Sequence, residues 1–170
     1  QTESNYLIIT HPLLRQGENG VDPIEQYAEF RSSNEGGNFE VEVAEIQDIY
    51  DQFNYGLPSP LAIKNLIAST SNLEFVFIIG KGRTIDQNLY RRQWENTGSL
   101  STSPVFIPTY GVPGSDILYS VFDNRSPTVP IGRLNAWQPS QVSIYLSKVK
   151  EMENLPYEEL WRKNIIQLSG

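Results

Sequence analysis

The 170-residue chain contains no cysteine, a single histidine, His11, and a single methionine. Without cysteine there is no disulfide, no thiolate metal site and no thiol nucleophile in these residues. One histidine leaves no room for a multi-histidine metal centre. No apolar run approaches the roughly 18 residues that a membrane-spanning helix needs. Basic charge is scarce too. Thirteen Lys and Arg stand against 20 Asp and Glu, giving a formal net charge of -7 and a sequence pI near 4.7. Phosphate recognition needs clustered cations, so no nucleic-acid partner is expected. The one dense basic spot, Arg91-Arg92 with Lys81 and Arg83 nearby, reads as a solvated face. No Gly-x-Ser-x-Gly elbow is present, which removes the serine-hydrolase signature. Gly80-Lys81-Gly82 lacks the spacing of a phosphate loop and reads as a glycine turn after a strand.

What is present is the composition of a globular chain, 39% hydrophobic and 11% aromatic, long enough for one domain over residues 1–170 that buries about two thirds of its unfolded surface. It starts at Gln1 with neither an initiating Met nor a signal-peptide pattern, and both ends are expected to be cuts in a longer protein. Tyr6-Leu7-Ile8-Ile9-Thr10 is continuously apolar up to its last residue, as in a strand covered on both faces. Asp22-Pro23-Ile24-Glu25 opens a helix, with Asp22 as cap, Pro23 at the first helical position and Glu25 at the capping-box position. Residues 39–43 alternate as a strand. Ser59-Pro60 caps a helix with Ala62, Ile63, Leu66 and Ile67 along one stripe. Residues 75–79 form the strongest strand, and 73–79 are expected to run as a central strand of the sheet. The order strand, helix, strand, helix, strand predicts right-handed crossovers and a three-layer α/β fold, with a mainly parallel sheet of four to six strands and helices on both faces.

Beyond this core the pattern predicts a helix over 84–95, a loop over 96–103 and a short strand over 105–108. A turn-rich stretch over 123–130 and a short extended piece over 131–134 come next. A helix over 139–153 carries Val142, Tyr145, Leu146, Val149 and Met152 on one face. A last helical turn leads to Trp161-Arg162, and a strand is expected over 164–168.

The stretch 46–64, with its aromatics at Tyr50, Phe53 and Tyr55, Gly56, the prolines Pro58 and Pro60 and the Ala62-Ile63 pair, resembles the gingipain-type cysteine peptidases and their type IX secretion sortase relatives. Seven further pieces resemble that family in the same order. The first six are the opening strand 6–10, the strand and Ile49-Tyr50 entry, the strand ending at Gly80, Phe106-Ile107-Pro108-Thr109-Tyr110, Ser115-Asp116 with Tyr119, and Ile131-Gly132-Arg133-Leu134. The 147–162 helix ending in Trp161-Arg162 completes the series. The resemblance implies a caspase-like half domain: the amino-terminal, non-catalytic subdomain of a secreted or cell-surface peptidase. The family's catalytic histidine and cysteine lie in a following subdomain, which would be the partner of this one, with a protein or peptide as substrate. Relatives carry Gly-Asp where this chain has Gly80-Lys81, and a lysine cannot ligate a hard cation. No metal and no cofactor is therefore expected.

The candidate substrate-side or subdomain-interface residues are Asp116, Tyr119, Arg133 and His11. Each also has a plainer reading. His11 follows a strand end, where α/β sites collect, and equally suits a turn before Pro12. Asp116 suits a Gly-Ser-Asp turn after Pro113. Arg133 is placed to pair with Asp116 or Asp123. Glu45, Asp48 and Asp51 suit the start of a helix. Two other classes stay open: a free-standing binding module using the loops at the strand ends, and a carboxylate enzyme, for which no paired acids stand at a recognisable spacing.

Overall fold

A computed structural model describes residues 4–82, 106–123 and 126–156. Four strands, β1 (Tyr6–Thr10), β2 (Val41–Glu45), β3 (Phe75–Ile79) and β4 (Ile131–Leu134), form one sheet in the order β2-β1-β3-β4, and every neighbouring pair is parallel. The helices are α1 (Pro23–Ser32), α2 (Ile46–Asn54), α3 (Pro60–Ser69) and α4 (Pro139–Asn154). Short 3-10 turns occupy Pro12–Leu14 and Asp116–Ser120.

The sheet order follows from two crossovers of opposite direction. From β1 the chain steps to β2 by way of α1; from β2 it returns past β1 to β3 by way of α2 and α3. Right-handed connections in opposite directions put their helices on opposite faces. The contacts agree, since α1 packs with α4 while α2 packs with α3, and α3 with the 116–120 turn. With both faces covered, β1 is buried along its whole length and Val76 to Ile79 likewise. This is the reason both strands read as unbroken apolar runs.

Local signals form as the sequence predicts. The Asp22 carboxylate accepts from the Ile24 and Glu25 N–H groups (2.9 and 3.2 Å) and Pro23 fills the first helical position. The Glu25 carboxylate turns to Arg15 instead of back to the cap. Ser59 caps α3 through the Leu61 N–H, and Ala62, Ile63 and Ile67 are buried beneath it. Glu45 occupies the cap of α2 and Asp48 its first turn, whereas Asp51 accepts from Gln47 one turn earlier.

Four expectations need correcting. β2 runs over Val41–Glu45 and not over 39–43. β3 begins at Phe75, not at residue 73, and Phe75 itself is 39% exposed. Residues 106–108 are not a strand: the N–H groups of Phe106 and Ile107 share the Lys81 carbonyl, so the run is held across the end of β3 instead of extended beside it. Met152 is 40% exposed and leaves the buried stripe of α4 that Val142 and Leu146 define. The expected helix over 84–95, Val105, the turn to Trp161-Arg162 and the strand over 164–168 fall outside the described residues.

Candidate functional site

β1 is followed by a connection that turns to one face and β3 by one that turns to the other, because the strand order reverses between them. Such a reversal opens a crevice at the carboxyl ends of the strands, where ligand sites of open α/β sheets collect. His11, Gly80 to Gly82, the 106–110 segment and Asn135 all stand at this end, and three of the four candidates are joined there.

Arg133, in the middle of β4, is the hub. Its guanidinium forks onto Asp116, Nε to Oδ2 at 2.6 Å and Nη2 to Oδ1 at 2.8 Å. Nη1 donates to the carbonyls of Gly80 (2.8 Å) and Ile107 (3.1 Å), and Nη2 also to that of Pro108 (3.0 Å). These bonds use all five guanidinium donors. The Tyr119 hydroxyl donates to the same Pro108 carbonyl at 2.7 Å. Tyr119 is fully buried, and burial pushes its hydroxyl pKa far up, so it acts as a neutral donor. Arg133 thus ties β4, the end of β3, the 106–108 segment and the 116–120 turn into one unit. The tie also explains Gly82. A Cβ there would lie 2.9 Å from Arg133 Nη1, so a side chain would push the guanidinium off its partners, while the Gly82 N–H is held by Asn135 Oδ1 at 3.0 Å.

His11 is held apart from this unit. Its ring stacks on Phe106 at 4.5 Å between centroids, and Nδ1 accepts from the Leu13 N–H at 3.2 Å. Partial burial lowers its pKa, with Glu45 pulling weakly the other way. The imidazole is therefore neutral near pH 7, with its proton on Nε2 and its Nδ1 lone pair used to cap the Pro12–Leu14 turn. The 3-10 cap and the aromatic stack agree with the turn reading.

Sequence reasoning passed over two residues. Lys64 of α3 donates to the carbonyls of Leu118 (3.1 Å) and Val121 (2.6 Å) at the end of the 116–120 turn, with Nζ over the Tyr110 and Phe122 rings. Lys64 is the one charged residue of α3 and stands off its buried stripe, so its contacts left no signal in the sequence pattern. Arg15 meets Asp22 (2.6 Å), Glu45 (3.1 Å) and Glu25 (3.3 Å); nothing in the local pattern indicates it, because the acids come from two separate elements, the start of α1 and the end of β2. Among the described residues no group of three or more His, Asp or Glu is gathered to hold a metal ion, and no helix is long and apolar enough to cross a membrane.

An all-parallel four-stranded sheet covered on both faces, with its loops gathered at the carboxyl end, is an α/β architecture consistent with a caspase-like half domain. The solved structure of dimeric latent PorU from Porphyromonas gingivalis has this fold, with a TM-score of 0.67 over 97% of this chain at 14% identity. The chain covers 17% of PorU. The profile of peptidase family C25 matches residues 1–170. The chain belongs to that family, the gingipain family whose resemblance the sequence carries. No curated protein matches it at a significant level.

Proposed function

We propose that this chain is the non-catalytic, amino-terminal subdomain of a gingipain-like cysteine peptidase or type IX secretion sortase, secreted or held at the cell surface, and that it supports the catalytic half of the same polypeptide. One observation carries the reading: a cysteine-peptidase family matches the whole chain, yet the chain has no cysteine. In the complete enzyme a thiolate attacks the peptide carbonyl and a histidine moves the proton; neither group comes from these residues. The part assigned to this chain is positional. Arg133, Asp116 and Tyr119 fix the 106–110 segment at the carboxyl end of the sheet, so that one wall beside the reacting groups stays rigid. With all five Arg133 donors engaged, its charge is used for holding the chain and not for binding a substrate carboxylate.

The test is to treat the full gene product that contains this chain with a thiol-directed peptidyl ketone and to map the label by mass spectrometry. The expected label is a cysteine outside residues 1–170, with no peptide cleavage by the 170-residue chain alone. Cleavage that copurifies with the 170-residue chain and is lost on mutating one of its residues would refute the proposal. An unlabelled, inactive full product would transfer the chain to the binding-module class.

A further inference from the structure

The outer edge of β2 has no strand beside it among the described residues. The Glu40 carbonyl faces β1, accepting from the Asn5 and Tyr6 N–H groups. Backbone direction alternates along a strand, so the N–H and C=O groups of Val41 and Val43 face outward. The side chains of the same two residues are half-buried. They line a groove of about 400 Å³ between the strand and α1, together with Ala28 and Ser32. Glu25 and Glu29, both exposed, form its rim, and Arg15 stands at one end. An open strand edge and a side-chain pocket therefore belong to the same residues. This is the pairing that strand addition uses: the backbone supplies hydrogen bonds and the pocket supplies selection.

The charge around this edge is one-sided. Before Lys64 the only cations are Arg15 and Arg31, against eleven acids, although the net charge of the whole chain is only -7. Both arginines are engaged, Arg15 with Asp22, Glu25 and Glu45 and Arg31 with Glu153. Glu29, Glu40 and Glu42 make no ion pair among the described residues and set the field at this edge, while the nearest further cation, Lys150 of α4, lines a separate pocket on the other side of Glu29. A second copy of this chain is the wrong occupant. Pairing β2 with itself would bring Glu40, Glu42 and Glu45 of both copies onto one six-residue seam, 40–45, and like charges across a strand pair are destabilising.

We propose that the outer edge of β2, with the groove between it and α1, takes an extended segment of a partner protein that adds as a fifth strand and carries Lys or Arg against Glu29. The site lies at the opposite edge of the sheet from β4 and does not depend on the peptidase reading.

The 170-residue chain is screened against a display library of random heptapeptides, and the enriched sequences are synthesised and titrated by fluorescence anisotropy. The expected winners are basic and β-prone and contain no proline. Their binding weakens about fivefold in Glu29→Lys and stays unchanged in Asp123→Lys, the same charge change at an exposed residue following the 116–120 turn. Amide exchange at Val41 and Val43 slows on binding, while the inward-facing Glu42 and Ala44 amides, already paired with β1, do not respond. The proposal is overturned if no sequence is enriched, or if acidic peptides bind as well as basic ones. It is equally overturned if basic peptides bind without protecting Val41 and Val43, since that is surface charge attraction alone, or if the free chain dimerises through those amides.

Discussion

Replacing Arg133 with Met tests whether the carboxyl-end loops are held by one side chain. The guanidinium is 11% exposed and its Asp116 partner 20%. Removing it leaves the Asp116 carboxylate without its cation and deprives the Gly80, Ile107 and Pro108 carbonyls of their side-chain donor; only Pro108 keeps another, the Tyr119 hydroxyl. Breaking a fully buried pair from one side costs about 3–5 kcal/mol, and the residual exposure here places the loss at the lower end, about 3 kcal/mol. In a chain of this size that is a fall in melting temperature of about 6–12 °C. Arg133→Lys keeps the charge but cannot fork onto Asp116 while reaching three carbonyls, so it should fall between wild type and Met. Adding Asp116→Leu to Arg133→Met removes the stranded carboxylate, so the double variant should be more stable than the sum of the two single losses by about 1 kcal/mol or more. Thermal and urea unfolding followed by circular dichroism gives all four values. An Arg133→Met midpoint within about 2 °C of wild type, or strict additivity in the cycle, would show that the clamp is replaced by water and that the loops are held by other contacts.

Ile79→Asp should abolish cooperative unfolding, because Ile79 is fully buried and an unpaired carboxylate there costs several kcal/mol, while Phe75→Asp should be tolerated with a lower midpoint, Phe75 being 39% exposed; equal behaviour of the two would refute the strand assignment. His11 has a lowered pKa in the folded chain, so the unfolded chain takes up a proton first. Its contribution to stability is complete above the unfolded value of about 6.5 and is lost as pH falls through that value towards the lower folded pKa. His11→Gln should flatten the stability-pH curve in that window, and an unchanged curve would exclude the effect. Tyr55 caps α2 in the left-handed region at φ 54° with its side chain 99% exposed. Tyr55→Gly should therefore stabilise the chain by about 0.5–1 kcal/mol in urea melts, and a loss of stability would show that the ring makes contacts in solution.

The sequence determined the strands, the helix starts and the parallel class of the sheet, because each depends on neighbours in the chain. An unbroken apolar run such as residues 6–10 is explained by burial on both faces whatever covers it, and Asp22 or Ser59 caps the helix that begins one residue later. It also determined the exclusion of thiol chemistry, which needs no structure. Tertiary structure decided the rest. Arg133 had two candidate acids in sequence, and only the folding of the 116–120 turn against β4 selected Asp116. Phe106 and Ile107 have the composition of a strand, yet both N–H groups go to one carbonyl at the end of β3, so no ladder forms. His11 suited either a strand-end site or a turn, and only the fold shows its Nδ1 accepting from the Leu13 N–H and its ring stacked on Phe106. Arg15 gathers acids from the start of α1 and the end of β2, and Val41 and Val43 combine outward-facing backbone with a groove supplied by α1. Each of these depends on which elements lie side by side, a relation set by long-range packing that periodicity along the chain does not encode.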